Sequence, residues 1–400
     1  MPFPKIDNHN LLLDIFENIN GIPHVCEELT LKNQNEIFYE TVIDNPEPTD
    51  LHKIYSIKYI SGYLQVKYKD ETSGKISIKK YGQEKGYAIN LSGVSNVDEY
   101  IKNKFNSYGK TIRRSVKRLE ACFDIKYIMY YGEVEKKHFD FLMETLHQMI
   151  IARFKQRNET SENLKDWQWR CKQAYFLIKE KRASLFVIYH GQKAISISLN
   201  YNFNKVHFSY ISSYDIDYSK FGLGHVDNYK QLEWCLANNF EIFELGWGTL
   251  DYKRRWCNYI YLFEHHLVYI KSSFPAQIYT TLIGFKIQLK SFLVSKDVHM
   301  YIRNIKNKLI YLKKKEEGNR FRTEIIEKNH TTSLITKIDY NLETYSFLRK
   351  NIYDYLYLNT LPISKLTVYK IDTEEAYILT GGKTIQKVAI DKTFESNSRI

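Results

Sequence analysis

The stretch SYISSYDIDYSKFGLGHVDNYKQLEWCLANNFEIFELGWGTLDYKRRW, residues 209–256, holds the side chains with the most chemistry in them. Tyr214-Asp215 closes a run that reads as a strand, and Gly222 and Gly224 stand where a helix begins. A helix start leaves its first amides without acceptors and carries the positive end of the dipole, so it suits an anion such as a pyrophosphate. Glycine at both positions lets such a group come close to the backbone, because no Cβ intervenes. Further on, Glu244 interrupts a short apolar run that reads as a buried strand. A carboxylate there is costly to bury alone, and Lys253 is its expected partner.

The elements that must position these groups follow from hydrophobic periodicity. Leu185–Tyr189, Ala194–Tyr201 and Val206–Ile211 alternate around two tight turns and predict a three-strand antiparallel meander. Residues 222–238 then predict a helix, 241–245 a short buried strand, 249–256 a second helix and 259–270 a closing strand. Upstream, Ile112, Val116, Leu119 and Phe123 recur at helical spacing, as do Phe139, Leu142, Met143, Leu146, Met149 and Ile150, with a strand at 125–130 between them. Residues 1–95 read as a strand-rich unit and 96–272 as the main α/β domain. Residues 273–318 read as a basic helical segment, and 319–400 as an extension that is irregular to about Leu361-Pro362 and then strand-rich.

Composition narrows the classes. Hydrophobic residues at 44% and charged residues at 26% of 400 fit a folded globular chain and exclude collagen-like or wholly disordered structure. Fifty-eight Lys and Arg against 46 Asp and Glu give +12, a field that favours anionic partners. Residues 286–315 supply nine of those cations against the single acid Asp297, so an anionic membrane surface is an expected partner and nucleic acid a weaker one. Five cysteines without a C-x-x-C pair suggest no zinc ribbon or disulfide framework and fit a cytoplasmic chain, peripheral to the inner membrane face if the basic segment docks there. No metal is expected.

The order of meander, Tyr-Asp, glycine turn, helix, strand ending in glycine, then Tyr-Lys and Trp resembles the GNAT acyltransferase superfamily, specifically its CelD/BcsL-type branch related to FemAB-type transferases. The matching residues are Tyr214-Asp215, Tyr218, Phe221-Gly222, Glu244, Gly246 or Gly248, Tyr252-Lys253 and Trp256. KTIRRSVKRLE (Lys110–Glu120) is similar to the family's basic helix, and SLFVIYHGQKAISISLN to its paired strands. Departures are Ser219 where a Gln or Arg is usual, Phe221 in place of Pro, and Glu244 in place of Asp.

The resemblance implies an α/β (α+β) fold, a GNAT-like mixed sheet with flanking helices, in tandem with a degenerate N-terminal half. It implies acyl-CoA, most simply acetyl-CoA, as co-substrate, held by Tyr214, Lys220, Phe221, Gly222, Leu223, Gly224 and His225. Acyl transfer from a thioester to an amine or hydroxyl needs a proton acceptor, an oxyanion donor and a proton for the thiolate. Asp215, Glu244, Tyr252 and Lys253 are the implied catalytic set, with Arg113, Arg114 and Trp256 on the acceptor, a small molecule or nucleotide-linked amino sugar for surface polysaccharide. Asp215 also reads as a turn cap, Glu244–Lys253 as an internal ion pair and Tyr252 as core. Two other functions fit the same text: a FemAB-like aminoacyl-tRNA-dependent transferase, and a non-catalytic GNAT-fold binding protein.

Overall fold

The computed structural model describes residues 4–17, 22–32, 37–40, 53–157, 164–248, 251–295, 321–326 and 334–390. The chain opens with β1 (Lys5–Asn10), α1 (Leu11–Glu17), β2 (Cys26–Leu31), β3 (Ile37–Glu40), β4 (Lys53–Ile60), β5 (Leu64–Tyr68) and β6 (Ile76–Asn90). It continues through α2 (Val97–Phe105), α3 (Ser107–Cys122), β7 (Ile125–Tyr130), α4 (Lys136–Arg157), α5 (Trp167–Lys179), β8 (Ala183–His190), β9 (Lys193–Phe203) and β10 (Val206–Tyr214). A 3-10 turn, Ile216–Phe221, then leads to α6 (Leu223–Ala237), β11 (Ile242–Trp247), α7 (Asp251–Trp256), β12 (Tyr259–Ile270) and α8 (Phe274–Ser295).

Among the described residues, nine strands form one mixed sheet in the order β1-β4-β12-β6-β11-β10-β9-β8-β7. The expected meander is β8-β9-β10, and the parallel step from β10 to β11 is made through α6. Strands β1, β4 and β6 come from the first 95 residues yet lie in the same sheet, with β6 between β12 and β11. The strand-rich start and the α/β domain therefore share one continuous sheet.

Both faces of that sheet are covered, which is why β8 reads ASLFVIYH rather than alternating. Leu185 and Val187 join Phe16, Phe139, Leu142 and Leu177 on one face, while Phe186 and Ile188 join Ile112, Leu119, Leu223 and Phe243 on the other. The three-stranded sheet β3-β2-β5 adds to the first layer.

The expectation of an irregular stretch from residue 320 to 361 is corrected by β13 (Phe321–Ile326), β14 (Ile335–Lys337) and a helix, α9 (Arg349–Asn359). The helix RKNIYDYLYLN has weak intrinsic propensity, and tertiary packing decides it. Ile352, Tyr353, Tyr355 and Leu356 bury themselves in the second core, with the Tyr353 ring 5.2 Å from that of Phe123. Strands β15 (Thr367–Ile371), β16 (Ala376–Thr380) and β17 (Ile385–Ile390) complete a five-stranded antiparallel sheet with β13 and β14.

This C-terminal unit props the 3-10 turn from behind. The Tyr218 hydroxyl donates to that of Tyr353 at 3.2 Å, and Phe221 packs 5.1 Å from Phe123 and edge-on to Tyr357 at 5.1 Å. Phe221 is completely buried. Phe221→Ala should cost ~3–5 kcal/mol through the cavity it leaves, lowering the melting temperature by roughly 10 °C. A calorimetric scan unchanged by the substitution would show that this packing does not hold the turn.

Candidate functional site

Strands β10 and β11 pair only at Val206–Phe208 with Ile242–Glu244, then part. Two local features part them. Strand β10 slips register against β9 between Ser209 and Ile211, a bulge around Tyr210. Strand β11 turns at Gly246, whose φ of +71° a side-chain-bearing residue rarely adopts and whose missing Cβ leaves room for the Phe208 ring. Beside the parted end of β10, between α4, the start of α6 and α7, lies a cleft of about 400 Å³, within the usual size range of small-molecule sites.

The start of α6 forms one wall. Gly222 caps the helix in the left-handed conformation, φ +64°, without any side-chain cap. The first amides to bond back are those of His225 and Val226, to the Gly222 carbonyl, which leaves the Leu223 and Gly224 amides ahead of the helical ladder. Gly222, Gly224 and His225 line the cleft, as do Tyr214, Tyr252 and Lys253. Helix α4 brings Arg153 and Arg157, with the Arg153 guanidinium 4.4 Å over the Tyr214 ring. With Lys253, these are three cations against one lining carboxylate, Asp227.

Asp227 went unread in the sequence because it passes for a polar position on an amphipathic helix. It is buried, since β9 beneath it offers polar side chains at alternate positions: Ser196, Ser198, Asn200 and Asn202, none more than 3% exposed. Ser198 Oγ donates to Asp227 Oδ1 at 2.8 Å and Gln231 Nε2 to Oδ2 at 2.6 Å. Burial nevertheless pushes the carboxyl up to about 7, against those two hydrogen bonds. The chain of contacts continues from Gln231 Oε1 to His207 Nε2 at 3.0 Å and from His207 Nδ1 to Asn202 Oδ1 at 2.6 Å.

His207 thus has an acceptor oxygen on each side, while a neutral imidazole donates from one nitrogen only. Burial lowers its pKa to about 4, so the imidazole is neutral at pH 7. Reversing the Asn202 amide reconciles the contacts: its NH2 donates to His207 Nδ1, its oxygen accepts from Ser184 Oγ, His207 Nε2–H donates to Gln231 Oε1, and Gln231 Nε2 keeps its bond to Asp227.

The expected catalytic residues divide. Tyr252 and Lys253 face the cleft. Although 39% of Tyr252 is exposed, crowding around its hydroxyl pushes the pKa up to about 12, so it is a donor at pH 7. Lys253 falls to about 8 through burial, opposed by the charges of Glu244 and Glu84. The expected Glu244–Lys253 ion pair is corrected: Lys253 Nζ donates to the Trp247 carbonyl at 2.6 Å, and Glu244 accepts from Tyr261 at 2.7 Å and from the Gly246 amide at 2.6 Å. Glu244 is completely buried, which raises it to about 7, and it pins the Gly246 bend. Asp215 lies outside the cleft lining: it accepts from Lys193 at 2.7 Å and from the Asp217 amide at 3.0 Å, capping the 3-10 turn.

Of the other expected residues, Phe221 and Leu223 are core, and Lys220 is exposed beyond the cleft lining. Arg113 pairs with Asp98 at 3.8 Å and Arg114 is exposed, both away from the cleft. Trp256 is buried and reaches the site through His225, its Nε1 donating to His225 Nδ1 at 3.0 Å. That bond leaves the His225 proton on Nε2, facing the Tyr108 hydroxyl at 3.3 Å. Burial and Arg255 lower its pKa.

Comparison with known proteins finds a likeness over the stretch that holds the cleft. Residues 106–254 match the family model described as acetyltransferase (GNAT) domain, and every residue lining the cleft lies within that stretch. The mixed sheet with its flanking helices is GNAT-like. No curated protein matches the chain. Similar solved structures include FemX (10% identity, 58% of this chain and 74% of that one, TM-score 0.40). They also include the C-terminal domain of a putative lysylphosphatidylglycerol synthetase from Agrobacterium fabrum (10%, 59% and 72%, 0.38). A conserved protein of unknown function from Bacteroides thetaiotaomicron is a third (6%, 54% and 70%, 0.36).

Proposed function

We propose that the chain is an N-acyltransferase of the CelD/BcsL-type branch, moving an acyl group, most simply acetyl, from acyl-CoA to an amine in the cleft beside β10. The observation that carries this reading is that the acetyltransferase-like stretch of sequence contains the whole cleft lining. The residues present suit the donor. The Leu223 and Gly224 amides, with Arg153 and Arg157 nearby, offer hydrogen bonds and positive charge to a pyrophosphate. Past Phe208, the edge of β10 has no partner in β11, so its backbone groups are available to the amide-bearing arm.

The co-substrate supplies an activated carbonyl and a thiolate leaving group. The chain supplies the rest. Asp227, with its carboxyl poised at about 7, takes a proton from the incoming amine, while Ser198 and Gln231 hold its orientation. Tyr252 keeps its own proton at neutral pH and donates it to the departing thiolate. Lys253 supplies positive charge beside it. The surplus of cations also favours an acceptor with phosphates, such as a nucleotide-linked amino sugar for surface polysaccharide.

The test is an incubation with acetyl-CoA and a panel of nucleotide-linked amino sugars, following free thiol and acylated product together. Equal appearance of both is the expected result. Transfer from an aminoacyl-tRNA instead, with acetyl-CoA inert, would move the chain to the FemAB-like reading.

A further inference from the structure

Helix α8 carries five large apolar side chains on one exposed side: Phe274, Ile278, Leu282, Phe285 and Leu289, each between 48 and 68% exposed. Steps of three and four residues put them in one stripe from Phe274 to Leu289. The opposite side is already in use. Ala276 and Thr280 are completely buried, Ala276 and Tyr279 pack with Ile54 and Tyr269, and a Cβ at Gly284 would run into the Tyr81 hydroxyl. The stripe is therefore not a misplaced core face. A contiguous apolar strip of this size on a globular surface marks an interaction site.

Charge decides what covers it. Lys286 and Lys290 are exposed and follow the stripe round the helix by about a third of a turn, and Lys271 is exposed just before the helix begins. The sequence from 286 to 315 holds nine Lys or Arg against one Asp. A second copy docking here would bring two such cationic segments together, whereas an anionic lipid surface attracts them. Among the described residues, no helix is long and apolar enough to cross a membrane. A helix packed along one side and apolar along the other lies in the interface instead.

We infer that α8 docks the protein on an anionic lipid surface, with the aromatic and aliphatic stripe entering the headgroup layer and Lys271, Lys286 and Lys290 meeting the lipid phosphates. The experiment is co-sedimentation of the full chain with phosphatidylcholine vesicles and with vesicles in which about a third of the lipid is phosphatidylglycerol. The wild type should partition onto the anionic vesicles at least about tenfold more than onto the neutral ones, and added salt should release it. Phe285→Asp with Leu289→Asp should abolish the partitioning while leaving the melting temperature and the oligomeric state in solution unchanged, because both side chains are exposed. A Leu289→Trp variant should shift its emission to the blue on anionic vesicles alone. Equal partitioning onto both vesicle types, none onto either, or undiminished partitioning of the double variant would overturn the inference. So would light scattering that finds a wild-type dimer which the double variant converts to monomer without any vesicle binding.

Discussion

Asp227→Asn should lower turnover by ~100-fold or more and at the same time stabilise the protein above pH 7. The loss follows from removing the carboxyl proposed to accept the amine proton, the only carboxylate lining the cleft among the described residues. The gain follows from linkage. Asp227 has its pKa raised from 3.8 to about 7 by burial, so the folded chain keeps a proton that the unfolded chain has lost. Its favourable contribution is complete below pH 3.8 and disappears as pH rises to about 7, at a cost on the order of a few kcal/mol.

Asparagine has the same shape and never ionises. With the Gln231 amide reversed it keeps hydrogen bonds to Ser198 and Gln231, so the cost vanishes. The difference in melting temperature between variant and wild type should therefore open between pH 4 and 7 and stay level above. Glu244, raised to about 7 as well, loses stability over the same window with the same sign, so its contribution is common to both proteins. Thermal melts at pH 5 and pH 8, beside turnover at pH 8, separate the roles. A variant that melts earlier at pH 8 and still turns over would make Asp227 a structural acceptor and nothing more.

Much of the scaffold was legible because it obeys simple periods. The meander and closing strand appear where alternation or unbroken apolar runs placed them, and α6 runs from Leu223 to Ala237 against an expected 222–238. The site was less legible, for reasons that lie in packing. The 3-10 turn at Ile216–Phe221 is six residues long and has no periodic signature, yet it redirects Asp215 away from the cleft. Arg153 and Arg157 look like ordinary cations at a helix end, and only the placement of α4 against β10 gives them a cleft to face. Ser196, Ser198, Asn200 and Asn202 alternate as a solvent-facing edge would, but α6 covers them and turns polarity into a buried network around Asp227. Glu244 was recognised as a buried carboxylate, but its partner came from β12, which sequence spacing could not reveal.

The second large effect belongs to Gly224. It is exposed at the mouth of the cleft, and a Cβ there would approach only the Tyr214 ring, at an ordinary 3.9 Å. Its helical backbone accepts valine without strain, so Gly224→Val should fold as the wild type does. The two added methyl groups would nonetheless stand between the first α6 amides and Tyr214, where the proposal puts the pyrophosphate. Affinity for coenzyme A should fall by ~100-fold or more, equivalent to about 2.7 kcal/mol.

Titration calorimetry of coenzyme A into the wild type and into Gly224→Val tests the account most directly, because it needs no knowledge of the acceptor. Saturable binding at one site per chain is expected in the wild type and little or none in the variant, with both proteins melting at the same temperature. A wild type that takes up no coenzyme A, or a variant that binds it equally well, would contradict the placement of the donor in the cleft beside β10.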